Sequence, residues 1–399
     1  MQEIGGTALI IQQIKQPPSR FWAFPDSHGL PAESDIHSGN SMSHLLKPLT
    51  VGALQLKNRI IMSPLTRSRA TGEDGRTPND LMRTYYEQRA TAGMIISEAT
   101  SVTPMGVGYA NTPGIWSQAH IDGWKPITEA VHAKGGKILL QLWHVGRVSD
   151  PYFLNGGLPV APSAIASKGN VNILKPTRPF TTPRALETAE ISGIIEVYKR
   201  GAQNAKLAGF DGVEIHGANG YLLDQFIQDG SNKRTDQYGG SIENRARLML
   251  EVTDAAIAVW GADRVGMHLA PRCDTASMGD SNPLATFGYV AEQLGLRKIA
   301  FIMAREFEAA DSLGPRLKKI FKGTYIVNEN FTQESAEAIL ARGDADAVSF
   351  GKLYIANPDL VERFKRAEKL NTPQPETFFV PGSAGYTDYS LLGQDAVKV

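Results

Sequence analysis

From Leu45 onward, short apolar runs alternate with stretches whose apolar residues recur every three or four positions, and the alternation continues along the chain. The short runs predict eight strands, over 59–63, 94–98, 137–142, 212–216, 264–269, 298–303, 324–327 and 347–350. The periodic stretches predict helices over 79–91, 120–134, 190–208, 242–259, 284–294, 316–321, 334–342 and 359–369. Eight strand–helix units in succession point to an α/β fold in which a parallel sheet closes into a (β/α)8 barrel. A small hairpin over 49–56, with Gly52 at its turn, precedes the first unit. Residues 144–188 are too long and too rich in glycine and proline for an ordinary connection. This segment leaves the third strand at its end, so it predicts a lid over the barrel mouth.

Residues 1–42 lack such a pattern. Proline, glycine, serine and aspartate are scattered there without period, and the one apolar cluster, 8–11, is too short for a secretory signal. This stretch is expected to be a disordered or non-native extension, with Met42 as the translation start. Residues 43–399 then form a single barrel domain, a length inside the ~200 to above 400 residues of such barrels.

Charge narrows the partners. Lys and Arg total 41 and Asp and Glu total 41, so no long-range attraction to nucleic acid or to an anionic membrane is expected. No apolar run is long enough to span a bilayer. Cys273 is the single cysteine, which excludes an intrachain disulfide, and no Cys/His cluster has zinc-site spacing, so no metal is expected. These features fit a cytoplasmic enzyme acting on small molecules.

The candidate chemistry centres on GVEIHGANGYLLDQF, residues 212–226. A β-branched run is broken by two glycines and then resumes at helical spacing, a strand–turn–helix that delivers the turn to the rim of the sheet. His216, Asn219 and Tyr221 lie on that turn. Three hydrogen-bond donors, one of them phenolic, suit a grip on a carbonyl oxygen or other anionic centre. The same residues also suit a structural role, with His216 capping the following helix and Tyr221 packing beneath the loop. The other predicted strand ends carry Pro64 and Thr66, Glu98 and Ala99, Gln141 and Trp143, His268, residues 328–330, and Gly351 with Lys352. The last pair, before a helix, fits a phosphate-binding loop. The ring holds neither a carboxylate pair nor a metal cluster, which favours an organic cofactor over hydrolytic chemistry.

The segments NRIIMSPLTRSRA, YYEQRATAGMIISEAT, GYANTPGIWS, LLQLWHVGR, LPVAPSAI, TPRALE, GFDGVEIHGANGYLLDQFIQDGSNKRTDQYGGSIENRAR, FGKLYIANPDL and GYTDY occur in this order. Through them the chain resembles, over residues 45–392, the old yellow enzyme family of flavin-dependent ene-reductases. The resemblance implies a TIM barrel holding FMN at its strand C-termini. NADPH or NADH would give hydride to the flavin, whose N5 passes it to the β-carbon of an activated alkene.

By the same resemblance, Pro64, Leu65 and Thr66 line the flavin, and Ala99 and Gln141 contact its ring. His216 and Asn219 hydrogen-bond the substrate carbonyl, and Tyr221 protonates the α-carbon. Trp143 and Tyr386 form aromatic walls, although a buried ring also suits an ordinary core. The phosphate falls to the strand-seven loop, Glu329 and Asn330, and to Gly351 and Lys352. Three positions depart from the family's usual residues. His268 replaces a strand-five arginine beside flavin N1 and O2, Lys352 replaces an arginine, and Glu329 replaces a glycine. Residues 298–316 match poorly. With an unperturbed pKa of about 6.5, His268 is expected to be a cation only when protonated, on reduction of the flavin.

The resulting expectation is an FMN-dependent reductase of α,β-unsaturated carbonyl and nitro compounds, monomeric or homodimeric. The alternatives are a flavin-binding relative with impaired turnover and a sugar-phosphate aldolase or isomerase on the same barrel.

Overall fold

The computed structural model describes residues 43–171, 174 and 176–393. The expectation for residues 1–42 lies outside them. Eight parallel strands form the barrel: Ile60–Met62, Met94–Ile96, Ile138–Trp143, Gly212–His216, Val265–Leu269, Phe301–Arg305, Thr324–Asn328 and Ala347–Phe350. Each pairs with the next, and the eighth returns to the first with Val348 opposite Ile60, so the sheet has no open edge.

Helices follow at Asp80–Gln88, Gln118–Ala133, Ile191–Leu207, Ile242–Trp260, Pro283–Leu296, Gly314–Phe321, Gln333–Arg342 and Leu360–Arg366. Several begin on a side-chain cap. Asn79, Ser117, Ser241, Asn282 and Thr332 each accept a hydrogen bond from a first-turn N–H that the helix itself cannot pair. Two short helices, Leu222–Ile227 and Lys352–Ala356, follow strands four and eight at the mouth.

The two-residue period of the strands sorts their side chains into layers. Ile60, Met62, Ile95, Val213 and Ile215 join the large core between sheet and helices. Ile61, Met94, Leu139, Phe301, Met303 and Ile326 form the barrel interior, packed on Val51, Leu54 and Leu56. Those last three belong to the predicted hairpin, whose strands Leu49–Val51 and Leu54–Leu56 plug the barrel floor. Gly266 is the cross-strand partner of Phe301, and a Cβ there would lie 2.1 Å from the phenyl ring. Only glycine lets that ring fill the floor.

Toward the C-terminal ends the interior turns polar. Ser63 and Ser349 hydroxyls lie 2.6 Å apart, and the Asn328 amide donates to Ser63 Oγ at 2.9 Å. Gln141, Glu214, His216 and His268 complete this belt, all buried.

Strand six departs from its prediction. Lys298 takes a left-handed φ of 55° just past the preceding helix, and the strand starts only at Phe301 and runs on to Arg305. This shift places Arg305 at a strand end. The predicted lid is built around a hairpin, Asn170–Val171 against Arg178–Pro179, tied down by the Asp150–Arg178 ion pair. Among the described residues no helix is long and apolar enough to cross a membrane.

Candidate active site

Strand four enters its turn with His216 fully enclosed, and the turn then reverses through Asn219 at φ 59° and Gly220 at φ 78°. Two side chains of the next helix brace it. Asp224 Oδ2 accepts from the Gly220 N–H at 2.8 Å. Gln225 Nε2 donates to the carbonyls of Gly220 and Val145, while its Oε1 accepts from the Arg147 N–H at 3.1 Å. Asp224 braces the turn itself and Gln225 fastens it to the start of the lid, and helical spacing alone did not mark either residue as anything but helix. Tyr221 is the residue before the helix, yet its side chain makes no capping bond, which leaves the phenol for the cleft. His216 Nδ1 accepts from the Ala218 N–H at 3.3 Å, so the ring hydrogen is on Nε2. Burial holds the His216 pKa down to about 3, with the Arg305 charge a further cause, so this donor is neutral.

His216 and His268 are register partners, and their rings stack at 5.1 Å. Gln141 Nε2 donates to Glu214 Oε2 at 2.7 Å and lies 3.2 Å from His268 Nδ1. An amide nitrogen can only donate, so Nδ1 accepts and the His268 hydrogen is on Nε2, a buried atom without a partner. Burial pushes the Glu214 carboxyl up to about 8.

Without flavin, burial, with the Arg305 charge a further cause, holds the His268 pKa well below the ordinary value. Above pH 6.5 the folded and unfolded chains both carry neutral His268. Below it the unfolded chain takes up a proton that the folded chain refuses, so stability falls as pH falls, by about 1.4 kcal/mol per pH unit for each such histidine. His268→Gln is therefore expected to flatten the loss of apoprotein stability between pH 6.5 and 5, read by urea unfolding. An unchanged slope would mean that His268 protonates in the fold.

Over this floor sits an aromatic cluster. The Trp143 ring stacks on Tyr109 at 5.4 Å and meets Tyr221 edge-on at 5.1 Å. The Tyr109 and Tyr221 hydroxyls are 3.1 Å apart. Ala99, Val145, Val148 and Phe180 pack around them, so the lid reaches the same cluster. Tyr109 lies in GYANTPGIWS but was not singled out in the sequence, because only the fold brings its loop to Tyr221. Tyr386 is not part of the group. Its ring has no exposed surface, stacks on Tyr85 at 4.1 Å and has the Arg69 guanidinium 4.5 Å from its centroid. Without flavin it is packed as a core residue, apart from the Trp143 cluster. Glu98, too, is structural, accepting from the Arg67 N–H and the Tyr86 hydroxyl.

Pro64, Leu65 and Thr66 are half-buried at the rim, and Ala99 lies beneath the aromatic cluster. Glu329 and Asn330 follow strand seven, both with positive φ, 105° and 60°. The Glu329 carboxylate binds Arg305 Nη2 at 3.1 Å. Arg305 Nη1 in turn donates to Asn219 Oδ1 at 3.0 Å. Gly351 and Lys352 start the short helix after strand eight, and Lys352 feels the Glu329 charge. Among the described residues no group of His, Cys, Asp and Glu is gathered to hold a metal.

A closed barrel whose mouth combines neutral imidazole and amide donors, a phenol and an aromatic shelf defines an oxidoreductase site built for an organic cofactor. The chain belongs to the NADH:flavin oxidoreductase / NADH oxidase family, whose profile matches residues 44–371. It is 41% identical to a putative 12-oxophytodienoate reductase 11 of Oryza sativa subsp. japonica, covering 89% of this chain and 100% of the relative. It is also 41% identical to a probable flavin mononucleotide-dependent alkene reductase of Leishmania infantum, over 89% and 99% of the two chains. Among solved structures, an old yellow enzyme homologue from Zymomonas mobilis superposes with a TM-score of 0.84 at 43% identity, covering 87% and 99%. Morphinone reductase in complex with tetrahydroNAD gives 0.84 at 48%, covering 88% and 99%.

The residues at the mouth fit a flavin. His268 Nε2 and Trp143 Nε1 are buried donors at the mouth without a protein partner, and the ring oxygens and nitrogens of a flavin are acceptors suited to such donors.

Proposed function

We propose that this protein is an FMN-dependent oxidoreductase that takes hydride from NAD(P)H and reduces the C=C bond of α,β-unsaturated carbonyl compounds, with nitro-activated alkenes as a second substrate class. Bound FMN supplies the hydride chemistry, accepting from the nicotinamide and giving to the β-carbon. Pro64, Leu65, Thr66, Ala99, Gln141 and His268 would hold its ring, and Glu329, Asn330, Gly351 and Lys352 its phosphate end.

The observation that carries the reading is the convergence of three neutral donors on one turn. His216 presents Nε2–H and Asn219 its amide, two donors suited to an oxygen that becomes negative as hydride arrives. Tyr221 stands beside them with a phenol that burial keeps protonated. Trp143 supplies a flat apolar face to the same cleft. A yellow purified protein that consumes NADPH on addition of cyclohexenone supports the reading. Colourless protein, or flavin that NADPH reduces but no enone reoxidises, overturns it.

We also propose a cytoplasmic, monomeric or homodimeric protein in which the catalytic unit begins by Ser43. The His44 and Leu45 N–H groups donate to the Glu337 carboxylate at 2.8 and 3.2 Å, which anchors the chain to the barrel from that point. A chain begun at Met42 is expected to keep its flavin and to shift in Tm by less than about 2 °C. Loss of bound flavin on deleting residues 2–41 would contradict this.

A further inference from the structure

Asn219 poses a problem that its sequence position does not answer. A side-chain amide has a donor end and an acceptor end, and only the donor end helps an oxygen that gains negative charge. If Oδ1 faced the substrate it would repel the charge that His216 attracts. Something must fix the amide.

Arg305 does so by its chemistry. A guanidinium has donors and no acceptor, so it can bond only Oδ1 of Asn219, which it does at 3.0 Å. Nδ2 is thereby committed away from the arginine. The second arm of the fork donates to Glu329 Oε1 at 3.1 Å, and the Arg305 side chain is 20% exposed. Cross-strand register explains how the three meet. Arg305 ends strand six opposite Asn328 of strand seven, and Glu329 is the next residue. Glu329 accepts a φ of 105°, a conformation suited to glycine, with its carboxylate on the arginine. The Arg305 charge also reaches both His216 and His268 and opposes their protonation.

We propose that Arg305, anchored by Glu329, is a positioning residue of the reaction site. It turns the Asn219 amide donor toward the substrate oxygen and sets a fixed positive charge behind that oxygen. The inference rests on the enone-reductase reading. It couples two features of this chain, a carboxylate in a glycine-like conformation and an arginine on strand six. It also puts the permanent cation of the site there, beside a histidine that burial keeps neutral.

The test uses 4-chlorophenol, whose phenolate resembles the enolate in shape and charge, titrated into the oxidised, flavin-loaded protein and followed by the long-wavelength absorbance that phenolates give against flavin. Arg305→Met is expected to weaken binding on the order of 10- to 100-fold, the loss of one charge-assisted contact. Arg305→Lys, which keeps the charge but not the two-armed geometry, and Glu329→Gln, which loosens the anchor, are each expected to weaken it by a smaller factor. Steady-state kinetics with cyclohexenone should show the same order in kcat/KM.

A phenolate affinity in Arg305→Met equal to that of wild type overturns the proposal. So does a variant that loses flavin or stability but binds phenolate normally in its loaded fraction, because that is what a purely structural role predicts. If Arg305→Met does not fold, unchanged affinity in both Arg305→Lys and Glu329→Gln overturns it, and weakened affinity in both sustains it. Wild-type protein that carries flavin but binds no phenolate would overturn the proposed function and this inference together.

Discussion

Tyr221→Phe is expected to leave reduction of the flavin by NADPH nearly unchanged and to slow its reoxidation by an enone on the order of 10² to 10⁴-fold, the usual weight of a general acid. The two half-reactions separate because only the second needs a proton delivered to carbon. Several features favour Tyr221 as its source. The residue precedes the helix without spending its hydroxyl on a cap. Burial first, and the neighbouring Tyr109 second, hold its pKa well above the ordinary value, so the phenol keeps its proton across the accessible pH range. Tyr109 Oη lies 3.1 Å away, and when it donates, the Tyr221 proton is free for the substrate. No descending limb from Tyr221 ionisation is therefore expected in the pH profile of reoxidation around neutrality. Rapid-mixing measurement of each half-reaction decides the matter. An equal loss in both would make Tyr221 a residue that shapes the cleft, not the acid.

The barrel was legible because each of its layers has its own period. Strands such as Gly212–His216 and Ala347–Phe350 appear at their predicted bounds, since apolar runs between glycines or charges have few other ways to be buried. Strand six was misread for a local reason. The run from Lys298 looks continuous in sequence, but the left-handed residue there delays the strand and carries it past its predicted end. Arg305 thus fell outside every predicted strand end and could not be recognised as part of the site.

The three residues of the strand-four turn were legible together because they are adjacent in sequence. Tyr109 and Arg305 reach the same place through loops and register, contacts of long sequence separation that no local pattern encodes. Tyr386 lies apart from that place. An aromatic residue in a matching motif says nothing about which side of a packed layer its ring occupies, and here Tyr85 and the arginines hold it in the core. For His268 the residue could be placed from sequence, but its neutral state in the flavin-free fold follows from burial and the company of a cation, which are properties of the fold.

The double change His216→Ala with Asn219→Ala is expected to abolish useful turnover of enones while leaving the flavin bound, because neither side chain is needed to close the barrel. Each contributes a hydrogen bond that is modest while the substrate oxygen is neutral and strong once it is anionic. A bond to a charged oxygen is worth roughly 1.5 to 3 kcal/mol, so losing both costs on the order of 10² to 10⁴ in the hydride-transfer rate. The arrangement makes the pair more than two separate donors. His216 cannot offer the alternative tautomer, since Nδ1 is held by the Ala218 N–H, and it does not become a cation in neutral solution, since burial holds its pKa down to about 3. Asn219 cannot turn its carbonyl inward while Arg305 holds Oδ1. Both donors are thus set before substrate arrives and need no reorganisation as charge develops. The single variants are accordingly expected to lose more than half of the double variant's effect in free energy, because one donor alone lets the oxygen shift away from both. A double variant that reoxidises with an enone at the wild-type rate would place the anion-stabilising groups elsewhere in the mouth.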